Sequence, residues 1–379
     1  MVKNEKSAKK RLGIFNSLIL GFNLVFACAL GLSYLSVHVS PIESWILPFF
    51  GLLYPYLVLM NIFFVVYWIL RKRWLFLLPA IMIIAGWGHL ERTIQFASPG
   101  DIPVNGSYFK MLSYNVKNLS NDNVHLLEPE IRNKIIGFLE SENPDIICLQ
   151  EFVVIHPNPE AFIDTVSDRL DMPYHAHYQY TNKPKKGIHA IIIFSKFPIV
   201  DHGTVKNDEI QNYAMFADLQ IGKDTVRLYN VHLESFRFKK EDYNFISEFD
   251  LQFEENENIK EGSVKILKKV RTAFARRAAQ VDHLESSIQT SPYPVILCGD
   301  FNDTPNSYTY QQLSSELKDS FIESGIGLGN TYIGNLPSYR IDFILYDDYF
   351  TSRQSRRILV KYSDHYPVSC FIGLRQNKN

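Results

Sequence analysis

The sequence predicts an α/β domain carried on a membrane-embedded head. Three observations predict it: apolar runs of strand character recur between residues 109 and 373, helical spacings fall between them, and two long stretches of the first 95 residues lack any Lys, Arg, Asp or Glu. The runs are 109–116, 145–151, 188–194, 213–220, 225–233, 294–300, 341–346 and 366–373. Several are continuous rather than alternating, the pattern of strands covered on both faces. Between them, Glu128–Glu142 and Pro159–Leu170 have helical spacing, and Asn143-Pro144-Asp145 stops the first of these.

The head follows from its charge gaps. No Lys, Arg, Asp or Glu lies between Arg11 and Glu43, or between Glu43 and Arg71. Each gap exceeds the roughly 20 apolar residues a membrane helix needs, and Trp74–Leu90 sits near the lower limit of about 17. The expectation is an anchor over 1–95 with three transmembrane helices at about 12–36, 44–70 and 74–90. A polar linker over 96–107 follows, and then a domain over 108–375. A cleaved signal peptide would be shorter and would lack the apolar runs behind it; a helical hairpin in a soluble core is disfavoured by length. Lys3, Lys6, Lys9, Lys10 and Arg11 precede the first run, and Arg71-Lys72-Arg73 follows the second. The positive-inside rule puts both clusters in the cytoplasm and the domain outside it. A third run lying in the interface would instead leave the domain in the cytoplasm. Without internal charges the runs offer no ion path, so the head reads as an anchor rather than a transporter.

Charge is informative once divided. The first 100 residues hold nine of the 39 Lys and Arg and three of the 40 Asp and Glu, leaving 30 basic and 37 acidic residues in the body. A body at −7 lacks the footprint of a strong non-specific nucleic-acid binder. Cys28, Cys148, Cys298 and Cys370 all lie in apolar runs without CxxC or Cys/His spacing. They read as buried small hydrophobes, not as a disulfide framework or a zinc site.

Polar motifs close or interrupt the apolar runs: Ser113-Tyr114-Asn115-Val116, Leu149-Gln150-Glu151, Asn230-Val231-His232-Leu233, Gly299-Asp300-Phe301-Asn302, Arg340-Ile341-Asp342-Phe343 and Ser363-Asp364-His365. Singly, each has a plain structural explanation. Asn115 or Asp364-His365 would form a turn, Glu151 or Asp342 an ion pair, and His232 a satisfied core contact. Period two puts Asp300 and Asn302 on one side of an extended segment, and Asp303-Thr304-Pro305 already supplies the turn there. Jointly they supply carboxylates, carboxamides and imidazoles with no evident Ser or Cys nucleophile, an inventory suited to activating water beside a hard cation.

With Cys148-Leu149-Gln150-Glu151, Arg340-Ile341-Asp342-Phe343-Ile344 and Ser363-Asp364-His365-Tyr366-Pro367-Val368, these motifs resemble, in order, those of the endonuclease/exonuclease/phosphatase superfamily. That superfamily includes pancreatic-type deoxyribonucleases, abasic-site endonucleases, neutral sphingomyelinases and inositol-polyphosphate 5-phosphatases. Phe194-Ser195-Lys196-Phe197-Pro198-Ile199 resembles a further strand of it. The resemblance covers about 109–373 and none of the head, so the chain looks like a membrane-anchored, bacterial-type member.

The resemblance implies a four-layered α/β sandwich of two packed mixed sheets flanked by helices. It also implies a Mg²⁺-dependent phosphoesterase, with Mn²⁺ as the alternative ion. Glu151 would be the principal metal ligand, with Asn115 and Asp364 completing or adjoining that site. Asp342 would orient His365, which would polarise the attacking water or steady the phosphate; Asp300 and Asn302 would orient the nucleophile and bind the transition state, and His232 would contact the phosphate near the leaving oxygen. The resemblance leaves open which residue is the general base. In the segment 236–290 a probable helix, Val264–Ser287, carries Lys268, Lys269, Arg271, Arg276 and Arg277. These read as a solvated face; alternatively Arg276 or Arg277 leans over the site and contacts substrate phosphate. Ser338-Tyr339-Arg340-Ile341-Asp342 lacks the Trp-Thr-Asp-Arg pattern of inositol 5-phosphatases, which counts against that substrate. Lipid head groups, small phosphoesters and nucleic acid are the expected substrate classes, the bilayer is an expected partner, and no protein partner is inferable. An extracytoplasmic nuclease is the alternative within the superfamily. A catalytically inactive binding module is the alternative of a different class.

Overall fold

The computed structural model describes residues 13–96, 100–103, 107–119, 129–183, 187–205, 213–249 and 257–375. The basic cluster before Arg11, Glu128 and the start of the acidic tract at 254–256 lie outside them. The head comprises helices α1 (Ile14–Leu35), α2 (Leu47–Leu52), α3 (Tyr54–Leu70), α4 (Leu77–Ala85) and α5 (Trp87–Glu91), followed by the short strand β1 (Ile94–Gln95).

The expectation of three full spans is corrected here. Only α1, at 22 residues, is long and apolar enough to cross a membrane among the described residues. The gap read as 44–70 is split at Leu53, because Pro55 starts α3 as a separate helix of 17 residues. The run 74–90 begins as a single 3₁₀ turn and breaks again at Gly86. Length in sequence overstated length as helix.

The body alternates strands and helices as far as the strand Tyr174–Lys183, after which strands follow one another to His232. In chain order come β2 (Tyr108–Asn115), α6 (Pro129–Glu142), β3 (Ile146–Val154), α7 (Pro159–Arg169), β4 (Tyr174–Lys183), β5 (Gly187–Ser195), β6 (Ile199–Thr204), β7 (Ala214–Ile221) and β8 (Asp224–His232). The insertion supplies α8 (Lys240–Phe249) and α9 (Glu257–Gln289). The chain ends with β9 (Val295–Asp300), α10 (Tyr308–Leu313), β10 (Lys318–Asp319), α11 (Ser320–Ser324), β11 (Gly327–Leu328), β12 (Asp342–Tyr346), β13 (Phe350–Arg357) and β14 (Val368–Leu374).

Two six-stranded mixed sheets result, ordered β13-β14-β2-β3-β5-β4 and β10-β12-β9-β8-β7-β6. Each has one parallel pair, β2/β3 in the first and β8/β9 in the second. Alternation explains why the apolar runs are continuous. Met111, Ile146 and Cys148 face the second sheet's Met215, Leu228 and Cys298, while Leu112, Ile147 and Leu149 face α6 and α7. On the second sheet's other face, Tyr229, Val231 and Leu297 pack under α9 and α10. This is the expected four-layered sandwich. A buried polar tie joins the sheets, where Gln150 Nε2 donates to Asn230 Oδ1 at 2.7 Å and Asn230 Nδ2 donates to the carbonyl of Leu149. Cys148, Cys298 and Cys370 are buried free thiols, whereas Cys28 is exposed on α1.

The head is inverted in polarity. Asn23, Ser33 and Asn61 are fully buried in it, while Ile14 (85 %), Phe22, Leu59 and Leu70 (75 %) are exposed. Trp68 Nε1 donates to Asn23 Oδ1, and Tyr67 Oη to Asn16 Oδ1, tying α3 to α1. The head is also docked on the body. His89 Nδ1 lies 2.9 Å from Asn306 Oδ1, Arg340 Nη2 donates to the carbonyl of Arg92 at 2.8 Å, and β1 pairs with β11.

Candidate active site

The C-terminal ends of the two parallel pairs meet at one end of the sandwich, where ligands gather in open α/β sheets. On β8, β9 and β12 the register sets His232, Asp300 and Asp342 side by side. Gly299 makes this row possible: at φ +137° it lies so close to β8 that a Cβ would sit 2.0 Å from the Val231 carbonyl oxygen. In the first sheet Asn115 ends β2 beside Gln150. The ladder then slips between Leu149 and Phe152, and Glu151 takes φ 51°. A bulge of this kind re-aims a side chain, and a non-glycine residue held at positive φ marks a place where the surroundings impose the conformation.

Asp300 is the hub. Its Oδ2 accepts from Asn115 Nδ2 at 2.9 Å and from Asn302 Nδ2 at 3.3 Å, and its Oδ1 accepts the Asn302 backbone N–H. Asp300 and Asn302 therefore converge, but through a turn and not through strand alternation: β9 ends at Asp300 and Asn302 has φ 52°. His365 Nε2 and His232 Nε2 lie 3.7 and 3.8 Å from the same carboxylate. His365 Nδ1 is 2.9 Å from Asp342 Oδ2, and Tyr332 packs edge-on against the ring. Burial opposes protonation of His365, but the charges of Asp342 and Asp300 outweigh it and push its pKa up to about 10. Burial raises the Asp300 carboxyl above the usual range.

Glu151 Oε1 accepts from Asn115 Nδ2 at 3.2 Å and lies 3.4 Å from His232 Nε2. Asn115 Oδ1 is occupied by the Lys117 N–H at 3.0 Å, so the amide turns its nitrogen toward both carboxylates. Asp364 and Glu151 line one cavity of about 530 Å³, together with Asp300, Asn302 and His365. Lys117, which the motifs did not single out, pairs with Asp364 at 3.1 Å and lines the same cavity. His232 Nε2 and Asp342 Oδ1 are buried without a hydrogen-bond partner among the described residues. Polar atoms left open in this way call for a ligand.

Arg276 is not brought to the cavity. It pairs with Glu234 at 3.0 Å, while buried Arg277 holds Asp303 at 3.1 Å and the Glu234 carbonyl. Lys265 and Lys269 pair with Asp242. Much of the basic charge on α9 is thus spent within the chain.

Two donor sets can be compared with a cation. Asp300, Asp342 and His365 can each offer one atom within 4.8 Å of the others. There, however, His365 is held protonated against Asp342, so the imidazolium itself supplies the positive charge. Glu151 and Asp364 offer hard carboxylate oxygens facing open cavity, which suits Mg²⁺ better.

Residues 112–365, about two-thirds of the chain, match the model of the Endonuclease/Exonuclease/phosphatase family. The chain belongs to that family. Members of the endonuclease/exonuclease/phosphatase family are hydrolases of phosphoester bonds and generally use a divalent metal. Residues 16–93 match a domain of unknown function (DUF8431). No curated protein sequence matches the chain. Similar solved structures include humanized D. rerio TDP2 carrying 14 mutations (16 % identity, 70 % of this chain and 99 % of that one, TM-score 0.49). The human Nocturnin catalytic domain with bound sulfate is another (16 %, 76 % and 98 %, TM-score 0.49). A third is an endonuclease/exonuclease/phosphatase from Bacteroides vulgatus (14 %, 71 % and 100 %, TM-score 0.48).

Proposed function

We propose that this family member is a Mg²⁺-dependent phosphoesterase, active by attack of a water molecule on phosphorus. The observation that carries the reading is the convergence of Glu151, Asp300, Asp364 and His365 on one cavity, with Glu151 held out of its ladder to face it. Glu151 and Asp364 would hold the cation, with Asn115 orienting Glu151. A bound divalent ion would neutralise phosphoryl oxygens and stabilise the departing alkoxide.

The chain's own residues do the rest. Asp300, fixed by Asn115 and Asn302, takes a proton from the attacking water; burial raises the proton affinity of its carboxylate, which favours that transfer. His365, charged and locked by Asp342, donates to a phosphoryl oxygen. His232, with Nε2 unpartnered, hydrogen-bonds the leaving oxygen. The new P–O bond forms as the P–O bond to the alcohol breaks. The full chain in neutral detergent, assayed on bis(p-nitrophenyl) phosphate, should lose turnover in EDTA and regain it with Mg²⁺ or Mn²⁺. Turnover indifferent to EDTA would sink the metal role, and preference for an oligonucleotide over every small ester would favour the nuclease reading.

We also propose that the head lies in a bilayer with the catalytic domain outside the cytoplasm. Its inverted polarity supports this: Asn23 and Asn61 are buried, each with one hydrogen-bonded amide atom, while large apolar side chains face outward. Three crossings keep both basic clusters inside and the domain outside; a single crossing by α1 also puts the domain outside but carries Arg71-Lys72-Arg73 out with it, so the orientation then rests on the N-terminal cluster alone. A cysteine placed at exposed Lys223, in the β7–β8 turn, should react with an impermeant maleimide on intact cells. Protection until lysis would reverse the orientation.

A further inference from the structure

The cavity's lining falls into two unlike groups of residues. Glu151, Asp300, Asp364 and His365 form one, as described. The other is apolar and built by two parts of the chain that the family match treats differently: Phe49, Leu52 and Leu53 at the joint of α2 and α3 lie outside the matched residues, and Phe236 and Phe238 open the insertion within them. Phe236 and Phe238 stack at 5.3 Å, and Phe49 packs edge-on against Phe274 of α9 at 5.5 Å.

The joint is seated, not draped. Gly51 lets α2 touch the body so closely that a Cβ would lie 2.2 Å from the Asn306 backbone oxygen, and Ser36 Oγ donates to that same oxygen. Leu53 and Tyr56 line the cavity, and Leu59, Ile62 and Phe63 of α3 belong to the head's exposed apolar exterior. The apolar part of the cavity is thus built in part by the helix whose outer side chains meet hydrocarbon in the orientation proposed above. Polynucleotide is the poorer occupant. Besides His365, which is held by Asp342, the cavity's bases among the described residues are Lys117 and Arg237, already paired with Asp364 and Glu234, so its lining offers a backbone few free cations.

We infer that the α2–α3 joint is part of the active site, forming with Phe236 and Phe238 a subsite for the hydrocarbon group of an amphiphilic phosphoester taken from the bilayer. The inference rests on the phosphoesterase reading and deepens it: the head selects substrate as well as anchoring the enzyme.

The test uses the full chain in maltoside micelles and a series of methyl, butyl and octyl p-nitrophenyl phosphodiesters, all releasing the same p-nitrophenolate. The kcat/KM should climb with chain length by up to about fourfold per methylene until the subsite is filled. Leu53→Asn should cut the octyl-to-methyl ratio at least about tenfold, and Gly51→Ala, which displaces α2, should cut it too. Leu59→Asn, on exposed α3 surface outside the cavity, should leave the ratio where it is; comparing variants in the same micelles cancels partitioning of the esters. A flat series, or a ratio equal in Leu53→Asn and the parent, overturns the subsite. So does an oligonucleotide that competes with the octyl ester and loses affinity in Leu53→Asn as much as the ester does. If no ester turns over, the phosphoesterase reading fails by itself. Calorimetric binding of octylphosphonate then judges the subsite separately: weaker binding to Leu53→Asn supports it and equal binding overturns it.

Discussion

Glu151→Gln should lower kcat/KM on a phosphodiester about 10³-fold and abolish the stabilisation that Mg²⁺ confers. The rate estimate follows from several kcal/mol of transition-state charge stabilisation lost with the cation, at 1.36 kcal/mol for each factor of ten. The second readout is independent of chemistry. A cation bound only to the folded state raises stability by about 2.7 kcal/mol at 100 times its dissociation constant, so the parent's Tm should rise with Mg²⁺ and the variant's should not. The structure also makes Glu151→Gly informative. Glu151 sits at φ 51°, which costs a non-glycine residue on the order of 1–3 kcal/mol, and its carboxylate shares the Asn115 amide with Asp300. Glycine relieves both, so this variant should be inactive and yet melt no lower than the parent without metal. If instead Glu151 serves only as the ion-pair partner of His232, both variants keep the Mg²⁺ response and the prediction fails.

Why Glu151 could be read from sequence and other features could not is a matter of burial. All eight apolar runs became strands because both faces of each sheet are covered, which writes the strand into the sequence as an unbroken run. Strands β4 and β13 in the first sheet and β6 and β10 in the second went unread. Each lies at an edge of its sheet, and Phe350-Thr351-Ser352-Arg353-Gln354-Ser355-Arg356-Arg357 carries the polar composition that edge positions favour. The site motifs were legible because they sit where those runs end. Lys117 was not, since a single Lys beyond Asn115 looks like any surface base until Asp364 is folded beside it. Head length was misjudged for a local reason: Pro55 and Gly86 interrupt apolar runs without adding charge, so a charge-gap criterion passes over them. The apolar wall was invisible for the opposite reason. Phe49 and Phe236 are as unremarkable as any aromatic in an apolar or polar stretch; the docking of Gly51 on Asn306 carries Phe49 into the cavity that Asp300 lines, and the fold of the insertion brings Phe236 there.

Asp342→Asn should lower kcat about 10²–10⁴-fold and move the alkaline limb of the pH profile toward neutrality. In the parent, His365 is buried against Asp342 at 2.9 Å with Asp300 3.7 Å away, and its pKa stands near 10 against an ordinary 6.5. The folded state therefore holds a proton that the unfolded state releases above about 6.5. The stabilisation is fully present below that pH, declines as pH rises toward about 10, and is gone above it; the cationic donor is lost over the final approach to 10. Removing the Asp342 charge leaves Asp300 as the nearest raising influence, while burial continues to pull the imidazole down, so the donor is lost at lower pH. Thermal melts of the metal-free chain should show stability falling between pH 7 and 10 in the parent and a shallower fall in Asp342→Asn. His365→Gln keeps a hydrogen-bond donor but not the charge: it should lose the alkaline limb and lower kcat, with a smaller effect on KM if His365 acts mainly in the transition state. An alkaline limb unmoved in both variants would show that the titrating group is elsewhere, and would pass the role of charged donor to Lys117 or His232.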